Sequence, residues 1–305
     1  MKDLKIIYMG TPDFAVEPLR ALLDKGCNIV AVVTVPDKPA GRGLKLRYSA
    51  VKEFALENNL TLLQPEKLRD PDFILQIQKL DPDLGIVVAF RMLPELVWAL
   101  PRLGTFNLHG SLLPKYRGAA PINWAVINGE KVTGVTTFML NHEIDCGDII
   151  RRQDVPIESE DTAGTLHDKM MMIGAKLVVE TVAEIASGNV TPLPQNDSDA
   201  CPAPKIFKQD CEINWEQNID TIYNKIRGLS PYPAAWCQFG NQTAKIIDVT
   251  KIVKDHSTPF GTMLIAENKT IIVAVEGGYI QIDRLHVAGK KIMTSVDYLK
   301  GNSLP

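Results

Sequence analysis

The sequence predicts a doubly wound α/β domain followed by a small β-barrel domain. Short apolar runs alternate with helical patterns in the first part of the chain, a proline-rich polar segment follows, and short β-rich stretches fill the remainder. The chain has 305 residues, of which 45% are apolar, so it has enough material to bury two separate cores. Two domains are therefore the starting expectation.

The α/β domain is predicted to open with a strand, a tight turn and a helix. Residues 4–9 are apolar enough for a buried strand, and residues 14–25 have helical spacing before Gly26. Similar apolar runs predict further strands, with helical stretches between them, at residues 28–34, 61–63, 84–90 and 105–108. Because continuous apolar runs suit strands covered on both faces, the pattern predicts a mostly parallel, Rossmann-like sheet.

The end of the first domain is predicted by two strands and a long helix. Strand patterns cover residues 134–140 and 149–157, and a helical pattern covers residues 162–186, with Asp161 and Thr162 as its N-cap. We expect that helix to close the first domain.

A change of composition marks the domain boundary. Between residues 188 and 204, prolines mix with Asn, Asp and Ser, which is typical of a linker. The later stretches predict a small domain, either an OB-like barrel or a meander, with short strands at residues 245–249, 262–265, 270–275 and 279–285. The sequence therefore predicts a first domain over residues 1–188, a linker over 189–208 and a second domain over 209–305.

Composition limits the classes of function. No apolar run reaches the roughly 18 residues that a membrane-spanning helix needs, so we expect a cytoplasmic protein. The five cysteines have no metal-ligand spacing, which predicts reduced thiols and no bound metal. The formal net charge of −3 argues against a protein that coats nucleic acid indiscriminately. Any contact with nucleic acid must therefore be local.

The first turn does not fit a nicotinamide cofactor. Pro12 and Asp13 follow Gly10 at positions where the dinucleotide fingerprint needs close backbone approach to a pyrophosphate. The turn is either a tight strand-to-helix connection or a surface that faces a ligand, and the residues leave both interpretations open.

The candidate catalytic residues are Asn107, His109 and Asp145. Alternation along the predicted strand places Asn107 and His109 on one face, at the end where open α/β sheets carry their sites. Acyl transfer to an amine needs a donor for the developing oxyanion and a group that handles the amine proton. Asp145, in a glycine-containing turn, is expected to fix the imidazole tautomer. Taken singly, His109 could be structural and Asp145 a turn former, so only the combination predicts chemistry.

These motifs resemble the folate-dependent formyltransferases. The resemblance begins with Asn107-x-His109, continues through Gly110-Ser111-Leu112-Leu113-Pro114, and ends at the turn that carries Asp145. Within that superfamily, residues 10–15, 36–43, 116–122 and 230–236 are similar to the branch that formylates methionyl-tRNA, and the similarity covers nearly the whole chain.

The resemblance implies the reaction partners. It implies 10-formyltetrahydrofolate as the formyl donor, the α-amino group of methionyl initiator tRNA as the acceptor, no metal, and a monomer. It places Ser111, Leu112, Leu113 and Pro114 in the folate-binding loop, and it implies that the second domain contacts tRNA. Residues 89–94 depart from the family pattern, because this loop beside the folate pocket is one residue shorter.

A basic segment between the second and third predicted strands is the candidate for contact with tRNA. Proline and glycines punctuate it, which predicts a flexible loop, and four cations outnumber a single acid there: Lys38, Arg42, Lys45 and Arg47. The family resemblance implies that Arg42 lies in the loop that reads the end of the tRNA. The alternative is an ordinary solvated loop.

Two other classes of function share some of these features. A formyltransferase that acts on a nucleotide amino-sugar or on glycinamide ribonucleotide would have the same three catalytic residues, but the basic segment and the second domain argue against it. A protein that binds nucleic acid through its barrel would need stacking aromatics on the barrel strands, and those strands offer chiefly Tyr279.

Overall fold

The computed structural model describes residues 2–40 and 45–304. Its strands, numbered in chain order, are β1 (Lys5–Gly10), β2 (Asn28–Val33), β3 (Lys38–Ala40), β4 (Lys45–Arg47), β5 (Leu62–Leu63), β6 (Leu84–Val88), β7 (Thr105–His109), β8 (Arg117–Gly118), β9 (Val132–Met139), β10 (Ile149–Pro156), β11 (Pro202–Ala203), β12 (Ala235–Phe239), β13 (Gln242–Val253), β14 (Met263–Ile265), β15 (Ile271–Val275), β16 (Gly278–Val287) and β17 (Met293–Thr294).

The chain divides into two compact units. Its helices are α1 (Val16–Asp24), α2 (Ala50–Glu57), α3 (Pro71–Leu80), α4 (Glu95–Trp98), α5 (Pro121–Ile127), α6 (Ala163–Ser187), α7 (Ile219–Leu229) and α8 (Ser295–Leu299). The first unit comprises Met1–Gly118, Gly134–Val155 and Asp168–Pro202. The second unit comprises Ala119–Thr133, Pro156–His167 and Ala203–Pro305.

The first unit is built on a seven-stranded sheet with the order β10-β9-β7-β6-β1-β2-β5. The five strands from β7 to β5 are parallel, and β9 runs antiparallel to β7. All five residues of β6 are buried, as expected for a strand that is covered on both faces. The predicted α/β class and mostly parallel sheet are therefore confirmed.

The long helix α6 is capped as the sequence predicts. The Thr162 hydroxyl accepts a hydrogen bond from the Thr165 amide at 3.1 Å, immediately before α6 begins at Ala163. This bond satisfies one of the amide groups that a helix start leaves unpaired.

The second unit carries an antiparallel sheet with the order β12-β13-β16-β15-β14, and β17 pairs with β16. The predicted antiparallel β domain is confirmed, but within the described residues β12 and β14 do not pair, so the hydrogen-bonded ladder does not close into a barrel. Closure requires strand tilt and stagger that agree around the whole sheet, and local alternation does not encode these quantities.

Helix α7 packs on this sheet and was absent from the sequence prediction. Asn218 caps it by accepting a hydrogen bond from the Thr221 amide at 2.9 Å, and Ile219, Ile222 and Ile226 are buried at helical spacing. The cap and the periodic isoleucines are legible in the sequence, so this helix was predictable.

The predicted linker contains ordered contacts within the first unit. Ile149 and Leu193 exchange two main-chain hydrogen bonds, and the Arg117 amide donates to the Cys201 carbonyl. The composition of this segment predicts irregular backbone, whereas its contacts depend on which distant parts of the chain lie beside it in the fold.

Within the described residues, no helix is long and apolar enough to span a bilayer.

Candidate active site

Strand β7 places Asn107 and His109 at the carboxyl end of the parallel part of the sheet. The strand lies between β6 and β9, where Asn107 is opposite Val87 on one side and Phe138 on the other. His109 is buried, and Asn107 is half-buried. Both side chains therefore project from a fixed strand, which positions polar groups more accurately than a loop does.

The His109 ring is held through its Nε2 atom. This nitrogen lies 2.9 Å from the main-chain carbonyl oxygen of Tyr116, and Nδ1 lies 3.8 Å from Oδ2 of Asp145. Because a carbonyl oxygen only accepts, Nε2 carries a proton in this hydrogen bond, and Nδ1 is the ring nitrogen that faces the carboxylate. The tautomer role that the sequence assigned to Asp145 is therefore performed by the Tyr116 carbonyl in this geometry.

Asp145 is held by main-chain groups. Its Oδ2 atom accepts a hydrogen bond from the Gly118 amide at 2.9 Å, and its backbone is left-handed with φ of 56°. At Gly147, two residues later, an added Cβ would lie 1.6 Å from the Met139 carbonyl oxygen. This turn therefore needs glycine at position 147 to bring the carboxylate to the ring.

Asn107 has an unsatisfied polar atom. Its Oδ1 atom is buried and receives no hydrogen bond from the described residues. A buried polar group without a partner costs free energy, and such groups occur where a ligand supplies the missing partner. Rotation of the amide by 180° exchanges its oxygen and nitrogen, so the same point can present either a donor or an acceptor.

The structure thus brings Asn107, His109 and Asp145 to one edge of the first unit. We call these three residues, together with residues 116–118, the catalytic edge. The sequence prediction assigned no role to Tyr116 or Gly118, although both lie in the motif that carries the family resemblance. Their contribution comes from main-chain atoms, which are the same in every residue type, so side-chain chemistry carries no signal for it.

The predicted folate loop follows β7 directly. Ser111 and Leu113 are buried, and the Ser111 hydroxyl donates to the Lys115 carbonyl at 2.5 Å. Thr136 on β9 donates its hydroxyl to the Ser111 carbonyl at 2.6 Å and accepts from the Leu113 amide at 3.1 Å. Leu113-Pro114 is a cis peptide. The loop is consequently braced by its own contacts, and Thr136, which the sequence did not single out, is its main brace.

The shorter loop of residues 89–94 is fastened by Arg91. Its guanidinium donates to the main-chain carbonyls of Pro65 and Glu66, and burial lowers its pKa from the ordinary arginine value. The sequence predicts the difference in loop length, and the structure shows the side chain that accompanies it.

The basic segment, expected to be a flexible loop, forms an antiparallel pair of strands where it is described. Lys38 of β3 is directly opposite Arg47 of β4, and both side chains are exposed. We call β3 and β4 the basic hairpin. Arg42 and the side chain of Lys45 lie outside the described residues. The structure thus brings two of the four predicted cations together.

The base of the basic hairpin is held by Asp37. Its carboxylate accepts hydrogen bonds from Lys52 Nζ at 2.6 Å and from Gln64 Nε2 at 2.9 Å. The bond from Lys52, and then that from Gln64, lower the pKa of Asp37 from its ordinary value, against the opposite effect of desolvation. Asp37, which directly precedes Lys38, is therefore held in place and fixes where the hairpin begins.

The cysteines and acids give no sign of a metal centre in the part of the chain that the structure describes, where no three His, Cys, Asp or Glu side chains are grouped for one ion. All five cysteines are free thiols, and burial raises the pKa of Cys237 to about 12.

Two family models match successive parts of the chain. Residues 4–182 match the family model described as formyl transferase, and residues 205–303 match that of the formyl transferase C-terminal domain. The chain is 53% identical to methionyl-tRNA formyltransferase of Bacteroides thetaiotaomicron over 98% of its length and 96% of that protein. It is 49% identical to the enzyme of the same name from Flavobacterium johnsoniae over 99% and 97% of the two chains.

Solved structures share the fold at low sequence identity. HypX from Aquifex aeolicus in complex with tetrahydrofolic acid has a TM-score of 0.68 and 17% identity, over 97% of this chain and 47% of HypX, so this chain spans about half of that protein. Methionyl-tRNA formyltransferase from Clostridium thermocellum has a TM-score of 0.56 and 16% identity, over 93% of this chain and 98% of that one. On the full-length identities to curated relatives, this chain belongs to the methionyl-tRNA formyltransferase family of transferases.

Proposed function

We propose that this protein transfers the formyl group of 10-formyltetrahydrofolate to the α-amino group of methionyl initiator tRNA. The observation that carries the proposal is the pair of His109 Nδ1 and Asp145 Oδ2, 3.8 Å apart, on the same edge as Asn107 with its unsatisfied Oδ1 atom. Together these groups match the needs of acyl transfer to an amine. The chain is also about half identical to an enzyme named methionyl-tRNA formyltransferase.

The first proposed role is that of Asn107. The amine nitrogen attacks the formyl carbon, the new C–N bond forms, and the formyl oxygen becomes negatively charged. The Asn107 amide donates a hydrogen bond to that oxygen. Because the buried Oδ1 atom has no partner among the described residues, rotation of the amide can place the NH₂ group at that point and direct it at the oxyanion.

The second proposed role is that of His109. An α-amino group has a reference pKa of about 7.7 to 8.0, so a fraction of it is already a free nucleophile near neutral pH. Once the amine has attacked, Nδ1 of His109 accepts its proton and then gives a proton to N10 of the folate as the bond between N10 and the formyl carbon breaks. Throughout, Nε2 keeps its hydrogen bond to the Tyr116 carbonyl.

The third proposed role is that of Asp145. When Nδ1 takes up the proton, the ring becomes a cation that faces the Asp145 carboxylate. The side chains of His109 and Asp145 are only 7% and 13% exposed, so water screens this attraction weakly. Asp145 therefore stabilises the protonated ring that forms when His109 takes up the amine proton.

The substrate-binding surfaces are also part of the proposal. We assign Ser111, Leu112, Leu113 and Pro114 to the folate side of the site, since this braced loop continues directly from His109. We assign Lys38, Arg42, Lys45 and Arg47 to tRNA phosphates. The exposed cations Lys38 and Arg47 lie directly opposite each other, and like charges in that register repel unless an anion lies between them.

The domain assignment is proposed on the same basis. Residues 1–188 would form the catalytic domain, residues 189–208 the linker, and residues 209–305 a domain that contacts tRNA, in keeping with the two family models.

We further propose that the enzyme acts as a monomer in the cytoplasm, where translation supplies its acceptor. Sedimentation at assay concentrations tests the monomer, and a stable dimer would contradict it.

The test is formyl transfer from 10-formyltetrahydrofolate to a panel of acceptors. The panel contains methionyl initiator tRNA, elongator methionyl-tRNA, free methionine and a nucleotide-linked amino-sugar. We expect rapid formylation of the initiator tRNA, slower formylation of the elongator tRNA, and a large loss with Asn107→Ala. Formylation of the amino-sugar but of neither tRNA would leave the proposed folate site in place and show that the acceptor is a different amine.

A further inference from the structure

A segment of three residues holds both members of the proposed proton-handling pair. The Tyr116 carbonyl holds Nε2 of His109, and the Gly118 amide holds Oδ2 of Asp145. Between them, the Arg117 side chain extends to Gln195 in the segment predicted to be a linker. Residues 116–118 therefore touch the histidine, the aspartate and a third residue that has no part in the proposed mechanism.

Gln195 bridges the Asp145 turn. Its Nε2 atom donates to the main-chain carbonyls of Asp145 and Gly147, each at 2.8 Å, so both amide hydrogens bind the two sides of the turn. Its Oε1 atom accepts from Nε of Arg117 at 3.0 Å and from Nη2 of Arg117 at 2.7 Å. These four hydrogen bonds use the full capacity of the amide, and three of them join Gln195 to residues of the catalytic edge.

Arg117 fixes the orientation of this amide. Its side chain is 16% exposed, and Nη2 also pairs with the Asp197 carboxylate at 2.8 Å. A guanidinium donates only, so it holds the oxygen of Gln195 toward itself and the NH₂ group toward the turn. The reverse orientation would place the NH₂ group against the guanidinium and the oxygen against two carbonyls.

We propose that Gln195, oriented by Arg117, is a positioning residue that sets the distance from the Asp145 carboxylate to His109. This inference rests on the proposed function. The distance is sensitive because Asp145 has a left-handed backbone, a conformation that residues other than glycine adopt only when their surroundings hold it. Without Gln195, the turn keeps the bond from the Gly118 amide to the Asp145 side chain but loses the two bonds that Gln195 donates to its main-chain carbonyls.

The first test is Gln195→Met, which keeps the side-chain length and removes all four hydrogen bonds. Misplacement of a reacting group by about 1 Å can lower a rate by ~100-fold, so we expect the maximal rate of tRNA formylation to fall by ~10- to 100-fold. The KM values for the folate and for tRNA should remain within about twofold, because Gln195 touches neither substrate in the proposal. The matched control is Gln153→Met, at an exposed glutamine of β10 whose side chain donates to the neighbouring Asp154 carbonyl.

A second variant separates positioning from folding. Gln195→Glu keeps an oxygen for Arg117 but places a second oxygen against the Asp145 and Gly147 carbonyls. It should unfold at a temperature close to that of the wild type and still lose rate to the same extent as Gln195→Met. A wild-type rate in Gln195→Glu would overturn the proposal.

The decisive experiment combines Gln195→Met with Asp145→Asn. If Gln195 acts only by positioning the Asp145 carboxylate, the double variant should be no slower than Asp145→Asn alone. If Gln195→Met instead lowers the rate by its full factor in the Asp145→Asn background, Gln195 does not act through that carboxylate and the inference is wrong. Failure of the proposed function would be evident earlier, as absence of tRNA formylation in the wild-type protein.

Discussion

The catalytic edge and the basic hairpin belong to the same unit but use charged side chains in opposite ways. At the catalytic edge, His109 and Asp145 are nearly buried, and main-chain groups of Tyr116 and Gly118 hold them. On the basic hairpin, Lys38 and Arg47 are exposed and face each other as like charges. One region fixes distances within the protein, whereas the other presents charge to the outside.

The two regions therefore contribute to different steps of the reaction. Held groups in a low-dielectric site act on charge that develops during bond making, so changes there should affect the rate at saturation. Exposed cations act on phosphates through screened electrostatics, so changes there should affect binding and its salt dependence. Variants of the two regions should therefore separate kcat from KM.

Removal of the oxyanion donor should have the largest effect. In other acyl-transfer sites, loss of one such donor costs about 2.7 to 4 kcal/mol, which is roughly 100- to 1000-fold in rate, and we expect Asn107→Ala to fall within that range. Single-turnover formylation at saturating substrates measures it. The control Asn241→Ala, at an exposed position of the second unit, should keep the wild-type rate. A loss confined to the KM for tRNA would move Asn107 from catalysis to binding.

Distortion of the Asp145 turn should have the next largest effect. Gly147→Ala places a Cβ against the Met139 carbonyl, so the turn must shift, and the carboxylate must move with it. Overpacking of this kind costs about 1 to 3 kcal/mol of unfolding free energy, and a shift of about 1 Å can lower the rate by ~100-fold. Gly301→Ala, where a Cβ has open space, is the control. Equal rates for the two variants would show that the turn tolerates the shift.

Neutralisation of the basic hairpin should change binding and leave the rate at saturation intact. If Lys38 and Arg47 each contact a phosphate, Lys38→Ala with Arg47→Ala should weaken tRNA binding and reduce the salt slope of log Kd by about 2, or about 1 for each cation. Titrations of methionyl-tRNA at several salt concentrations measure this slope. An unchanged slope with a reduced kcat would contradict the assignment of the hairpin to tRNA.

The smallest expected effect concerns the base of the hairpin and depends on pH. The pKa of Asp37 is lowered in the folded protein, so its contribution to stability is present above its unfolded value of about 3.9 and is lost as pH falls through the folded value. The difference in unfolding free energy between the wild type and Asp37→Asn should therefore shrink as pH falls from about 7 to about 3. In the Lys52→Met background, which lacks the main hydrogen-bond donor, the difference should be smaller at neutral pH. A difference in unfolding free energy that grows as pH falls would contradict the stabilising role of the ionised Asp37 carboxylate.

The sequence predicts the parts of the site that depend on side chains. Alternation along one strand placed Asn107 and His109 on a common face, and the structure puts both at the carboxyl end of β7. The glycine-containing turn after β9 indicated where Asp145 would lie. These inferences needed only local periodicity and the general position of sites in open α/β sheets.

The remaining parts depend on main-chain geometry and on distant segments. Tyr116 contributes through its carbonyl, in a backbone with φ of 61°, and a tyrosine in the sequence carries no sign of that conformation. Gln195 lies in a stretch whose prolines predict a linker, and its four hydrogen bonds form only after the chain returns to the Asp145 turn. The predicted barrel is closed, whereas the sheet of the described residues is open. The reason is related, because closure depends on strands that do not follow each other in sequence.

The roles of His109 and Asp145 are tested by the single-turnover rate of formyl transfer to methionyl initiator tRNA in His109→Ala and in Asp145→Ala, with binding of the folate and of tRNA measured separately. We expect each variant to bind both substrates as the wild type does and to transfer the formyl group at least about 100-fold more slowly, in line with the loss of a general acid–base group. A wild-type rate in either variant would remove that residue from the mechanism.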